Sequence, residues 1–529
     1  MSTSISLTAL AQITLGFPLV VLLFTVLVAW LGRRKHPVLA ERLSGWITFI
    51  SSLFLLLVSI GMMLSGENVA HFDFLTVRFR LDALSIFMIL LINVVAFAAS
   101  WNSISYLAFA PSDSQKPFWQ QGVVFHILIN LFHFTMLLVP LADNLIVIWI
   151  AIELTTVGSA FLIVYEGKKS SWDATWKYLI ITSTGIVLAL LGTIFLANSL
   201  PPEVIIKEQT NRLLDWSYLL SQHAILNRQF VWFAFLFALL GYGTKAGLAP
   251  MHTWLPDGHG EAPSPVSALL SGVLLKASLY AVLRFYTLTN AVLGDVYSDW
   301  TSYTLLIAGL LSLLTATPFI LRDNPFKRVL AYHSLEHMGI IVFGLGMGGI
   351  IAVSGAILHM LNHAITKALM FLAYGNLLKR YEKAGASIKG ALRIMPYSGG
   401  LLTLGGLALV GTPPFNIFMS ELIILWGSVS RFIDGRQPEH PDYALPIAIV
   451  AVALFVGSTT LIFYGLMNHL KKIVLDKPDK EIPRESFTWS AIGPLLFLFV
   501  LMLALGVWIA PPLARLVSDS ANIVLNLAN

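Results

Sequence analysis

Residues 357–371 read Ile-Leu-His-Met-Leu-Asn-His-Ala-Ile-Thr-Lys-Ala-Leu-Met-Phe, and their strongly polar members are His359, Asn362, His363 and Lys367. His359, His363 and Lys367 recur every four residues, so a helix places them in one stripe. The surrounding run, 349–377, is long enough to cross a bilayer as a helix. Ionisable groups at that depth are costly and face a bundle interior or a wet cavity. Hydrogen bonds tying helices together would explain one such stripe. Charges recur at comparable depth in other runs, and that repetition points to function.

Composition sets the class. Of 529 residues, 57% are hydrophobic and 12% charged, where a soluble domain has roughly half and a quarter. This is the composition of an all-α polytopic membrane protein. The chain has no cysteine. That excludes disulfides, thiolate zinc sites and cysteine-ligated iron–sulfur clusters, so no cofactor is expected here and electron transfer must belong to another chain. The net charge of +5 could suggest nucleic acid. The basic residues instead collect in short loops between apolar runs, which suits orientation in a bilayer. The first run, 7–31, has no basic residue before it and Arg33, Arg34 and Lys35 after it. That is the reverse of a signal peptide, so it reads as a retained span with its amino end outside.

Runs of sufficient length number about fourteen. They lie near 7–31, 43–65, 83–107, 120–142, 144–165, 176–198, 229–249, 264–287, 302–321, 328–346, 349–377, 397–426, 443–467 and 488–510. Basic clusters occur at Arg33/Arg34/Lys35, Lys168/Lys169/Lys177, Arg322/Lys327/Arg328, Lys379/Arg380/Lys383/Lys389/Arg393 and Lys471/Lys472. With this span count all five fall on one side, and the loop 288–301, with Asp295 and Asp299, falls on the other. The positive-inside rule then puts both termini outside the cytoplasm of a bacterial inner membrane. Segment 199–228 is the longest connection, and Leu213, Leu214, Trp216 and Leu219 suggest a short surface helix in it. The tail after Pro512 is mildly amphipathic and is expected to lie on the membrane.

Two spans look broken in the same way. One reads Leu-Gly-Tyr-Gly-Thr-Lys-Ala-Gly-Leu-Ala-Pro-Met-His-Thr-Trp-Leu-Pro over 240–256. The other reads Gly-Gly-Leu-Ala-Leu-Val-Gly-Thr-Pro-Pro-Phe-Asn-Ile-Phe-Met-Ser-Glu over 405–421. Proline removes a helix hydrogen bond and glycine lets the chain bend. Two breaks, five spans apart and each with one ionisable residue, suggest inverted repeats. The expected units are 1–118 (three leading spans), 119–287 and 288–467 (the two repeats) and 468–529 (a last span and surface tail).

Glu153 sits mid-span, where a carboxylate must be neutral, paired or hydrated. Lys245 stands just before the first break, where it could either trade a proton or snorkel to the interface. Lys276 lies well inside its span, and Glu421 follows the second break within an apolar helix. His337 lies four after His333 with Glu336 beside it, and these three could be interfacial. Together these are the groups that exchange protons near neutral pH once burial shifts them. So few side chains need waters to connect them. No P-loop is present, and no metal is expected: His359 and His363 lack the zinc-helix glutamate between them, and Lys367 would repel a cation.

The stretch 244–257, Thr-Lys-Ala-Gly-Leu-Ala-Pro-Met-His-Thr-Trp-Leu-Pro-Asp, followed by Ala-Pro-Ser-Pro-Val-Ser-Ala-Leu-Leu-Ser-Gly over 262–272, resembles a signature of the antiporter-like subunits of respiratory complex I. The stretch 358–371 resembles their second-half signature. Ala-Tyr-His-Ser-Leu-Glu-His-Met-Gly (331–339) and Trp-Lys-Tyr-Leu-Ile (176–180) are most similar to the hydrogenase-4 component F branch. The resemblance implies fourteen core helices, two inverted five-helix units and proton translocation along a central row of charges. In that row Glu153 corresponds to the fifth-helix glutamate, Lys245 to the broken seventh-helix lysine and Lys276 to the eighth-helix lysine of some branches. His359, His363 and Lys367 match the eleventh-helix set, and Glu421 the twelfth-helix terminus, where some members carry lysine. Component F often has an uncharged residue where Lys276 stands, so this sequence departs from that branch there.

The expectation is a proton-translocating membrane subunit of a multi-subunit energy-converting complex of the hydrogenase-4 or NADH/quinone type. A Glu153–Lys245 ion pair would act as the switch, with protons passing to Lys276 and the histidine stripe and leaving near Glu421. Partners would be other membrane subunits, the lipid bilayer and a peripheral redox module. Two other readings stay open: an Mrp-type sodium/proton antiporter subunit, and the cation-driven membrane subunit of an inorganic-carbon uptake complex with a carbonic-anhydrase-like partner.

Overall fold

The computed structural model describes residues 6–32, 36–66, 69–74, 77–108, 120–207, 212–433 and 444–527. Helices α1 (Leu7–Gly32) and α2 (Pro37–Ser65) precede a hairpin of β1 (Val69–Phe74) and β2 (Val77–Asp82). Next come α3 (Ala83–Ala108), α4 (Gly122–Leu141), α5 (Leu145–Ile163) and α6 (Lys169–Ala197). Short α7 (Pro202–Lys207) and α8 (Trp216–Ser221) lead to α9 (Arg228–Lys245), α10 (Leu255–Glu261), α11 (Ser264–Leu269) and the long α12 (Leu275–Leu321). The chain closes with α13 (Phe326–Met347), α14 (Ile350–Ala384), α15 (Ala391–Ile394), α16 (Pro396–Leu409), α17 (Asn416–Ile433), α18 (Ala444–Val474), α19 (Trp489–Val507) and α20 (Pro511–Val524). Asn144 and Asn227 start α5 and α9 by accepting backbone N–H bonds, at 3.0 Å from Ile146 and 3.0 Å from Gln229. Gly294, at φ 53°, bends α12 into two spans.

Among the described residues, twelve helices are long and apolar enough to cross a membrane. The two expected spans outside that count are the broken ones, 229–249 and 397–426. The spans Ala83–Ala108, Ser264–Gly294, Phe326–Met347 and Ile350–Ala384 are buried all round, whereas α1 and α18 expose most of their apolar surface. A helix enclosed on every side places its charges against protein, not lipid. Lys276, His337, His359, His363 and Lys367 all sit on these enclosed helices.

Helices α6 and α9 pack along each other, as do α12 with α13 and α14 with α17. The α6–α9 contact is close because Gly241 leaves no side chain: a Cβ there would lie 2.4 Å from the Ala189 nitrogen. Gly241→Val is expected to push the two helices apart and destabilise the chain by about 1–3 kcal/mol, read as an earlier thermal midpoint in detergent.

Four basic clusters meet at one end of the bundle. Glu166 pairs with Lys168 and Lys379, Asp257 with Lys177 and Arg328, and Asp323 with Lys472. The fifth, Arg33/Arg34/Lys35, lies outside the described residues. The structure adds three details to the sequence reading. The hairpin β1–β2 was not foreseen; its two short strands pair with each other, and β2 makes one further bridge, from Phe79 to Ala142. Segment 199–228 is not a bare surface helix, because Trp216 and Leu219 are buried and the Trp216 indole donates to the Arg284 carbonyl at 2.8 Å. The tail helix α20 packs Leu513, Leu516, Val517 and Val524 against the bundle, chiefly on α3 and α14.

Candidate functional site

Helix α9 stops at Lys245, and Gly247 turns the chain at φ 77°. Only glycine adopts that conformation without strain. Lys245 is fully buried, so it does not snorkel. Its ammonium donates to the Ile152 carbonyl and to the Thr156 hydroxyl, both on α5. Thr156 in turn donates to Glu153 Oε2 at 3.3 Å, and Ser183 donates to Oε1 at 3.2 Å. The expected Glu153–Lys245 ion pair is therefore indirect. The Thr156 hydroxyl, which can accept and donate at once, stands between the two charges.

Lys276 follows a π turn over Leu270–Leu274. Such turns interrupt the helix ladder and occur often at functional sites. Its ammonium donates to the Ser271 carbonyl and to His363 Nδ1, both at 2.6 Å. The His363 ring stacks on His337 at 4.6 Å. His337 Nδ1 lies 3.0 Å from His359 Nε2, and His359 Nδ1 lies 2.9 Å from the Ser420 hydroxyl. Glu421 is next in the chain, and one of its carboxylate oxygens lies within 4.8 Å of ring nitrogens of His337 and His359. A line of contacts thus runs from Lys276 through three imidazoles to Ser420 and Glu421, crossing α12, α14, α13 and α17. It is hydrogen-bonded from Lys276 to His363 and from His337 to Ser420, and the two parts meet where the His363 and His337 rings stack with Nε2 of each unpartnered among the described residues.

Lys367 leaves this line. Its ammonium donates to the Leu330 carbonyl and lies 5.8 Å above the Phe371 ring. The sequence stripe is real on α14, but its third member faces another neighbour. His333, Glu336 and His337 are not interfacial: all three are buried, and His333 Nδ1 lies 2.6 Å from Glu336 Oε2.

The second break mirrors the first in its parts. Gly411 turns the chain at φ 70°, and a Cβ there would come within 2.5 Å of Glu421 Oε2, so the side chain folds back over the break. Sequence reading singled out Asn362 but missed Asn416 and Ser420, the partners through which it holds this region. Asn362 donates to the Asn416 carbonyl at 2.7 Å and to Ser420 at 3.0 Å, and Asn416 donates to the Asn362 carbonyl at 3.1 Å. The clue was there: Asn416 and Ser420, four apart, share a face of the helix that follows the prolines.

Glu153 and Glu421 differ from the other members in being only half-buried. Each stands beside an exposed apolar residue, Leu154 or Leu422. Two groups offer metal-ligand atoms, His333/Glu336/His337 and His337/His359/Glu421. Within these groups His333 Nδ1 meets Glu336 and His337 Nδ1 meets His359, Nε2 of His333 and of His337 has no hydrogen-bonding partner among the described residues, and the Lys367 ammonium is turned to Leu330.

Residues 142–433 match the profile of the family described as NADH:quinone oxidoreductase/Mrp antiporter, transmembrane region. A hydrogenase-4 component F homolog of Methylacidiphilum infernorum is 32% identical over 474 residues, covering 89% of this chain and 92% of that protein. NAD(P)H-quinone oxidoreductase chain 4 of Prochlorococcus marinus is 27% identical over 502 residues, covering 90% and 85%. The structure of an Mrp complex from a Dietzia species contains a chain of the same fold, with TM-score 0.80, 18% identity and 98% of both chains covered.

Proposed function

Because the chain belongs to the NADH:quinone oxidoreductase/Mrp antiporter transmembrane family, we propose that it translocates protons as one membrane subunit of a multi-subunit energy-converting complex, of the hydrogenase-4 or NADH/quinone type. The observation that carries this reading is the contact line Lys276–His363–His337–His359–Ser420, whose lysine and three histidines sit on helices enclosed by protein and whose every member is buried. Every titratable member can take up and release a proton, and each meets the next within hydrogen-bonding or stacking distance. Glu153 and Lys245 form the first station, coupled through Thr156, and Glu421 the last.

The half-burial of Glu153 and Glu421 supports neighbouring membrane subunits as partners. A glutamate left partly exposed at membrane depth, beside exposed Leu154 or Leu422, is the kind of surface another membrane chain would cover. The two breaks support inverted repeats over 119–287 and 288–467, since α6 packs on α9 in the first unit as α14 packs on α17 in the second. The gathering of four basic clusters at one end supports a bacterial inner-membrane orientation with that end cytoplasmic and both termini outside.

The test is ion flux in vesicles holding the complex purified through this chain. Proton uptake that depends on an electron donor and not on sodium is the expected result. Sodium-dependent proton flux without any donor would select a sodium/proton antiporter instead.

A further inference from the structure

One buried titratable side chain has no part in the line described above. His259, on α10, is fully buried, and neither ring nitrogen has a hydrogen-bonding partner among the described residues. The Leu255 carbonyl, one turn earlier, approaches the ring but not in hydrogen-bonding geometry. Leaving a buried donor or acceptor unsatisfied costs about 1–3 kcal/mol each. Core histidines normally avoid this by bonding at least one nitrogen.

The position of the ring is specific. It packs 5.8 Å from Trp254 on one side and 6.0 Å from Phe371 on the other. The Trp254 indole donates to the Thr244 carbonyl at 2.9 Å, next to Lys245, and Phe371 lies under Lys367. The charges that bear on the ring are those of Lys367, Lys276 and Lys327. On either side of His259 in the chain, Asp257 pairs with Lys177 and Arg328, and Glu261 accepts from Ser170 at 2.7 Å. Those partners belong to the basic-loop end of the bundle. Lys327, from the same end, reaches in to donate to the Ala262 carbonyl at 2.5 Å. Short α10 therefore turns its carboxylates to the basic loops and its imidazole to the interior.

We propose that His259 is a proton-uptake site, taking protons from the basic-loop end past Lys327 and handing them inward to Lys276. The proposal rests on the proton-translocating reading above and adds to it the way in from the basic-loop end. Water on each ring nitrogen would relieve the unmade hydrogen bonds and link the ring to both lysines. The step is balanced: one nitrogen gains a proton from the outer water while the other releases its own to the inner water. Rotation of the ring about its Cβ–Cγ bond then exchanges the two nitrogens and restores the first tautomer, so only N–H and O–H bonds are made and broken.

The experiment uses the intact complex in vesicles under an imposed pH difference, with a pH-sensitive dye inside. His259→Gln keeps the volume and polarity of the side chain but cannot carry a proton. It is expected to slow flux by about 10²-fold, with the complex still assembling. His259→Gly opens a ring-sized space, and added imidazole should restore its flux while pyrrole, of the same shape but non-basic at neutral pH, should not. Full flux in His259→Gln overturns the proposal. So does a loss in His259→Gly that imidazole cannot mend, because that would mark a packing role. Should wild-type complex carry no proton flux at all, the underlying functional reading fails as well. A normal wild type with a dead Lys245→Ala and an active His259→Gln sinks this inference alone.

Discussion

Lys245→Ala is expected to cut proton transport by about 10²–10⁴-fold while the complex assembles normally. Lys245 is the amine at the first break, and its ammonium reaches Glu153 only through Thr156. Opening that link removes an anionic neighbour from the lysine, and a lysine without an anionic neighbour holds its proton less firmly. Assembly should survive for a physical reason. Removing Nζ takes a charge out of a buried site, and the Glu153 left behind can take up a proton and stay hydrogen-bonded as a neutral acid. The Thr156 hydroxyl can still donate to Glu153, and Glu153 keeps Ser183. Thr156→Val separates the bridge from the charges it joins. It leaves both ionisable groups in place and is expected to lower transport by about tenfold. Proton uptake into vesicles, beside size-exclusion profiles of the purified complex, checks both variants. Wild-type transport in Lys245→Ala would remove this residue from the relay. Equal rates in Thr156→Val and wild type would mean that the two charges communicate by another route.

Much of the fold could be read from hydropathy and from glycine and proline placement. The breaks at Lys245 and before Asn416 follow directly from Gly247 with Pro250 and Gly411 with Pro413 and Pro414. The stripe of His359 and His363 was legible because helical spacing alone puts residues four apart on one face. Its junctions were not. Lys276 meets His363 across 87 residues, and no periodicity on one helix encodes which side chain of another helix it will touch. Lys367 shows the converse, since it shares a stripe with the histidines yet donates to Leu330 on α13. His333 and Glu336 stand near a loop in sequence, but α13 is buried along its whole length, so proximity to a loop did not mean exposure. The hairpin β1–β2 escaped notice because two short strands between long apolar runs carry too few residues to show a period.

Arg284→Leu is expected to destabilise the chain by about 3–5 kcal/mol, because it leaves Asp82 buried without its main partner. Asp82 is fully buried and accepts from Arg284 at 2.8 and 2.7 Å, from Arg80 at 3.1 Å and from the Ser85 backbone at 3.0 Å. The Arg284 guanidinium lies 4.5 Å over the Trp216 ring and 4.8 Å over Tyr280. One ion pair thus ties together the hairpin, α3, α12 and the segment between α6 and α9. Burial works to raise the Asp82 carboxyl, but Arg284 and then Arg80 outweigh it and hold the group well below the usual carboxylate range. A carboxylate depressed in the folded state adds stability above its unfolded value, near 3.9, and that stability is lost as pH falls through the folded value. The wild-type thermal midpoint in detergent should therefore drop as pH falls below about 4. In Asp82→Asn this component of the drop should be absent, and the midpoint at pH 7 should already be lower. Replacing both partners, Asp82→Leu with Arg284→Leu, should recover part of the loss, because no buried charge is left alone. A double variant no more stable than Arg284→Leu would show that the stacking on Trp216 and Tyr280, and not the ion pair, holds this corner together.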